Sequence, residues 1–207
     1  MIGRRLRTAW GEFVGPETGP AGTAVILGFA GVGAAAAPRF AASLSTAESV
    51  LLRLCALDLW GGAVANNTRA CARWYERPGQ TDSHHLQFAA MHLHPALLAW
   101  MDRRESGRVP PWVWATAQYG YLIAATVAIR RAARWRRPLG LVLTAGGIAL
   151  DAGLGRSQAA PWFGPVFYAK LLLGHAAGAL WSEADLRGIA KVVPPTGIRP
   201  KQAGGSG

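Results

Sequence analysis

The chain has 207 residues, a hydrophobic fraction of 51%, a positive mean hydropathy and only 16% charged residues, a balance that leaves too little polar surface to coat a soluble globule. The formal net charge is +11, yet the basic residues cluster between long apolar blocks and not along one face. That distribution fits membrane topology, and without a motif or fold to support it nucleic-acid binding is set aside.

The predicted fold class is all-α: one polytopic membrane bundle over residues 1–191, with about six transmembrane helices and both termini inside. The basic start MIGRRLR is followed by an apolar run only near Ala21 and lacks a convincing cleavage site, so no cleavable signal peptide is expected. The first apolar block, Ala21 to Ala37, is rich in Gly and Ala. It is a weak span by hydropathy but suited to close helix contact, with small residues four apart at Gly31/Ala35 and Gly33/Ala37. Glu48 to Thr68 carries Arg53 and Asp58, and His84 to Met101 carries four of the five histidines. These two blocks are joined by a polar, Arg-rich loop with a Pro78-Gly79 turn suited to type II geometry.

Pro111 to Ile129 is free of charge and about nineteen residues long, enough for a hydrocarbon core of ~30 Å, and is the strongest span by this reading. Pro138 to Gly155 contains Asp151 near its far end, and Pro161 to Trp181 contains Lys170 and His175. Proline opens the last three blocks, where the first helical turn has no N–H partners to lose, and Asp82 or Ser83 suits the cap of the third. Tryptophans at the block ends (Trp100, Trp112, Trp135, Trp162, Trp181) predict an interfacial belt. The residues from Val192 read as a disordered cytoplasmic tail.

With the N-terminus inside, fifteen basic residues fall on inner segments and five on outer ones, which supports six spans. Arginine outnumbers lysine 19 to 3, the bias of a GC-rich coding sequence, so the expected location is a bacterial plasma membrane. Cys55 and Cys71 are sixteen residues apart along or beside one helix, ~24 Å by helical rise, too far for a disulfide, and read as buried small hydrophobes.

Alternating directions put residues of different helices at one depth. Asp58 lies ~15 Å below the outer end of the second helix, and His92 and His94 lie ~12–15 Å above the inner end of the third. Lys170 falls mid-way along the sixth, with His175 closer to the cytoplasm. A charge at mid-span costs roughly 2.5–3.5 kcal/mol, so Asp58 and Lys170 are expected to pair. Asp58, His92, His94 and Lys170 are therefore the candidate catalytic groups, with acid/base chemistry as their task. Asp151 sits nearer the outer surface and belongs to another contact.

On the second helix Asp58, Gly62, Asn66, Arg69 and Arg73 form one polar stripe toward the cytoplasm, and Gly61 and Gly62 permit close approach of a neighbouring helix or a ligand. Pro95 frees the carbonyl of Met91 and predicts a kink. Stripe, loop and histidines together predict a polar cleft open to the cytoplasm, with Asn66, Asn67, Arg73, Tyr75, His85 and His175 as substrate-binding residues. The histidine spacing matches neither HExxH nor the boxes of membrane di-iron enzymes, so no metal is assigned. No other cofactor is identified; a haem reading would use His92 and His175 as axial ligands.

The leading expectation is a membrane enzyme acting on a lipid or isoprenoid-like substrate. The alternatives are a non-catalytic accessory subunit and a proton-coupled transporter. The expected partners are a bilayer with anionic lipids, a hydrophobic small-molecule or lipid substrate and, for a carrier of only six helices, a second copy of the chain.

Overall fold

A computed structural model describes residues 2–41, 44–105 and 107–187. The tail from Val192 lies outside them. The described residues are helical and turn, with no strand, so the all-α expectation stands.

Some helices lie outside the predicted apolar blocks. Helix α1 (Ile2–Val14) is amphipathic, with Leu6, Trp10 and Phe13 along one stripe and Arg5 and Glu12 outside it. Helix α4 (Arg69–Tyr75) replaces the expected Arg-rich loop, because Thr68 accepts a hydrogen bond from the Cys71 amide and caps a new helix directly after the previous one ends.

The long helices follow the apolar blocks. Helix α2 (Pro20–Ala36) has proline in its first turn and runs on into a tighter turn, Ala37–Phe40. Helix α3 (Thr46–Asn66) begins at a capping box in which Ser45 and Glu48 satisfy one another's backbone amides. Helix α7 (Pro111–Arg131) and helix α8 (Arg136–Leu154) match the fourth and fifth blocks.

The third block is not one kinked helix but two, α5 (Asp82–Ala90) and α6 (His94–Met101). Pro95 has no N–H to give to Met91, and its ring excludes helical geometry behind it, so the chain leaves the helix over residues 91–93. The cap of α5 is Thr81 and not Asp82 or Ser83; its backbone and hydroxyl both reach Nδ1 of His84.

The sixth block is a short α-helix, α9 (Phe163–Tyr168), continued by a π-helical stretch, Ala169–Ala176. A final turn of helix, α10 (Glu183–Leu186), closes the described chain.

The end contacts show an up-and-down arrangement. At one end Glu48 pairs with Arg103 at 2.9 Å, Asp102 accepts from the amides of Gln158 and Ala159, and Arg108 donates to the Gly153 carbonyl. At the other, Glu76 pairs with Arg130 (2.6 Å) and Arg136 (2.9 Å), Arg130 with Asp82, and Arg136 and Arg137 with Glu183. The second end is here called the basic end. Here the burial of Glu183 acts to raise its carboxyl pKa, but the hydrogen bond from Arg137 and the charges of Arg136, Arg137 and Arg187 outweigh it and hold the group below its ordinary value.

By hydropathy and length, one stretch among the described residues, Pro20–Phe40, is apolar enough to cross a membrane. The ranking expected from the sequence, with Ala21–Ala37 the weak span and Pro111–Ile129 the strong one, is thereby reversed. Helix α7 has the length but spends it on Trp, Tyr and Gln side chains, several of them turned inward. A six-span bundle therefore does not follow from hydropathy.

The core is built from Leu52 and Leu59 of α3, Leu98 of α6, Leu122 and Ile129 of α7, and Phe163, Phe167, Tyr168, Leu171 and Leu172 of the last segment. Large apolar side chains also stand on the surface: Val25, Leu27, Phe29 and Val32 of α2, Val50, Leu54 and Leu57 of α3, and Leu141 and Val142 of α8.

Candidate functional site

The π-helical stretch sets the site. Widening the turn takes successive carbonyls out of the regular i→i+4 ladder. Those of Tyr168, Ala169 and Lys170 accept side-chain hydrogen bonds from Thr144, Asn67 and Asn66, at 3.4, 3.0 and 3.2 Å. Asn66 and Asn67 thus hold the last segment against α3. Glycines allow the approach: a Cβ on Gly174 would meet that of Asn66 at 2.7 Å, and one on Gly62 would meet Cε of Lys170 at 2.4 Å. Gly61 serves the opposite face, against Ala30 of α2.

Lys170 lies in the furrow that Gly62 leaves. It is 1% exposed, and Nζ donates to Oδ2 of Asp58 at 2.6 Å and, more weakly, to the Asp58 carbonyl. The same Oδ2 lies 3.3 Å from Nε2 of His94, the first residue after the break between α5 and α6. Asp58 joins an amine on one side to an imidazole on the other.

The carboxylate is not sealed in. The Asp58 side chain is 34% exposed and that of His94 18%, against 1% for Lys170. Asp58 stands half-way along α3, four residues from the exposed Leu54 and next to the exposed Leu57, and His94 directly follows the non-helical residues 91–93, of which Met91 and Leu93 are exposed.

His92 donates its Nδ1–H to the Phe88 carbonyl at 2.7 Å, and its ring stands 5.5 Å from that of His94. Phe88 also touches the His92 ring and stacks on His175 at 3.9 Å, and His175 in turn lies 4.6 Å from His85. Tyr75 completes this group against Phe88 and His175. His85 and His175 are buried, and neither ring nitrogen of either makes a hydrogen bond with the described residues. Nε2 of His85 lies 3.8 Å from Glu76, so two imidazole pairs, His94–His92 and His175–His85, run from Asp58 toward the basic end with Phe88 between them.

The structure therefore brings Asp58, His94 and Lys170 into contact, with His92 adjoining. Asn66 and Asn67 bind the backbone of the last segment, and Gly62 and Asn66 of the expected stripe are covered by that segment. Arg73 turns away to Glu17 at 3.0 Å and to the Asp185 carbonyl. Asp151 belongs to a separate buried group, accepting from Trp114 (3.0 Å) and Gln118 (3.4 Å), while Tyr168 donates to Gln118. Cys55 and Cys71 are free and buried.

Among the described residues no group of three His, Cys, Asp or Glu side chains is arranged to hold a metal ion. Phe88 packs on both His92 and His175, where a haem between them would have to lie. Sequence reasoning missed Phe88, Glu76, Arg130 and Thr144. Glu76 carried a usable signal, as the one acid amid the arginines of its segment.

Comparison with protein-family models, with curated proteins and with solved structures returned no match to this chain.

Proposed function

We propose that the chain is an integral membrane protein of six spans, with both termini inside a bacterial plasma membrane. In this reading Asp58, His94 and Lys170, with His92 behind them, carry out acid/base chemistry on a lipid or isoprenoid-like substrate. One observation carries the proposal: an ion pair buried half-way along the bundle reaches the surface through its carboxylate, and the surface around that opening is apolar. A polar substrate has little reason to come there. A molecule dissolved in the bilayer has a direct lateral route to the carboxylate and imidazole.

The rest of the surface supports the setting. Polar groups face inward while Leu, Val and Phe face outward on α2, α3 and α8, the reverse of a water-soluble core. Trp112 and Trp135, at opposite ends of α7, are exposed at the two levels where interfacial rings belong. The end holding Glu76, Asp82 and their arginine partners suits the cytoplasmic side, since it carries the larger share of basic residues.

Within the site His94 is oriented to move a proton between substrate and Asp58, and Lys170 stabilises the carboxylate in its charged form. The test is native mass spectrometry of the protein purified from membranes. A bound lipid or isoprenoid is expected, lost or reduced in Asp58→Asn and His94→Ala variants that still fold. Folded variants that keep every bound species, in cells without a changed lipid profile, would defeat the enzyme reading.

A proton-coupled carrier is the second reading, favoured by the imidazole pairs His94–His92 and His175–His85, which lead past Phe88 toward Glu76. It calls for proton flux in proteoliposomes that falls in His175→Phe and is unchanged in His84→Phe, whose ring only caps α5.

A further inference from the structure

We infer that Lys170 is a covalent nucleophile, and that the substrate is an apolar aldehyde or ketone held as a Schiff base with Asp58 as counter-ion. This rests on the membrane acid/base reading above and names the substrate's functional group.

Three observations lead to it. The chain uses arginine for 19 of its 22 cations, yet among the described residues the most deeply buried cation is a lysine. Charge alone does not require that choice, because arginine keeps its proton in proteins and makes the better buried ion pair. Only an amine can lose its proton and attack a carbonyl. Second, the amine is held in a furrow made by Gly62, with the Asp58 carboxylate at 2.6 Å as its closest partner, so one group serves as both proton acceptor and counter-ion. Third, that carboxylate faces the apolar opening and touches His94, which provides a second proton carrier beside the same oxygen.

The step balances without a further reagent. The ammonium of Lys170 passes a proton to Asp58, and the freed lone pair forms a C–N bond with the carbonyl carbon. The carbonyl oxygen takes that proton to give a carbinolamine. A second proton from nitrogen, relayed by Asp58 and His94, lets the C–O bond break and the oxygen leave as water. The iminium keeps one proton and one positive charge, opposite a carboxylate that is again ionised.

The test uses the full chain in proteoliposomes with farnesal, an isoprenoid aldehyde, and cyanoborohydride to reduce any imine to a stable secondary amine. Lys191 and Lys201, the only other lysines, are references within the same molecule. Peptide mass mapping should find the adduct on Lys170 at least about tenfold faster than on either reference, the advantage expected of an activated amine. Lys170→Arg should retain adducts on the reference lysines alone. Modification of Lys191 and Lys201 with Lys170 untouched, or modified no faster, overturns the proposal. Should a lipid still co-purify in an Asp58-dependent manner, the acid/base reading survives that result; if neither is seen, both fall.

Discussion

A Cβ placed on Gly62 would come within 2.4 Å of Cε of Lys170 and 2.9 Å of its Nζ. Alanine in a helix interior ordinarily adds stability over glycine, by roughly 0.5–1 kcal/mol. Here the sign reverses, because the added methyl occupies the path of the lysine stem. Gly62→Ala is expected to cost about 1–3 kcal/mol, as other overpacked cores do, and to loosen the Asp58–Lys170 pair. Thermal unfolding in detergent measures the loss; a variant as stable as the parent would show that the lysine has another route.

Breaking the pair from one side tests its structural share. Asp58→Asn leaves the Lys170 ammonium buried with only weak acceptors, an expected loss of ~3 kcal/mol, at the low end for a severed buried pair because the carboxylate is partly exposed. Replacing both, as Asp58→Asn with Lys170→Met, removes the stranded charge and should recover most of that stability. The measurement is the unfolding midpoint of the parent and the two variants. A double variant that folds well but loses the bound lipid separates the pair's chemistry from its contribution to packing.

Much of this constellation was legible from depth alone. Rise per residue and alternating direction put Asp58, His94 and Lys170 on one level, and a charge at mid-helix makes a partner nearly obligatory. The local path of the chain was less legible. Pro95 announces an interruption, but a kink and a full break share the same signal, and only the packing of α5 and α6 on α7 decides between them. The π-helical turn has no local mark of its own; it is held by Asn66, Asn67 and Thr144, which stand 24 or more residues away and donate to its carbonyls. Helices α1 and α4 are short and polar enough to be read as loop. The hydropathy ranking failed at α7 because averaging treats Gln118 and Tyr121 as water-seeking, whereas Gln118 is buried against Tyr168 and Asp151, and the Tyr121 hydroxyl donates to the Leu143 carbonyl.

The captured carbonyls make a prediction of their own. Asn66→Ala would remove the side-chain donor that the Lys170 carbonyl has besides its π-helical amide, a loss of about 0.5–1.5 kcal/mol. The effect should be local, with amide exchange accelerating over residues 169–176 and remaining unchanged in α7. Uniform acceleration along the chain would mean that Asn66 supports the whole bundle and not the π-helical turn.

At the basic end, the lowered pKa of Glu183 predicts an acid-sensitive contact. Its folded value lies below the ordinary 4.5, so its pairing with Arg136 and Arg137 contributes stability above that value and is lost as pH falls through the lowered one. The difference in unfolding temperature between the parent and Glu183→Gln should therefore be present at neutral pH and shrink below about pH 4. A difference that stays constant down to that range would assign the stability to packing of α10 instead.

The membrane setting itself can be decided on a helix that fails the hydropathy criterion. Val142 stands on α8 with 65% of its surface exposed, next to Leu141 and well inside the helix ends. If that face meets water, Val142→Asp is a surface change and should alter stability by no more than about 0.5 kcal/mol. If it meets hydrocarbon, the same change sets a carboxylate among acyl chains, at a cost of roughly 2.5–3.5 kcal/mol for insertion of α8. The readout is the fraction of protein that resists extraction from membranes by alkali, compared with Val142→Leu and with Glu105→Gln, which lies at an end between α6 and α7. A large loss confined to Val142→Asp would place α8 in the bilayer and support the membrane setting of the Asp58 site; no loss would leave α2, among the described residues, as the only segment with a claim to span.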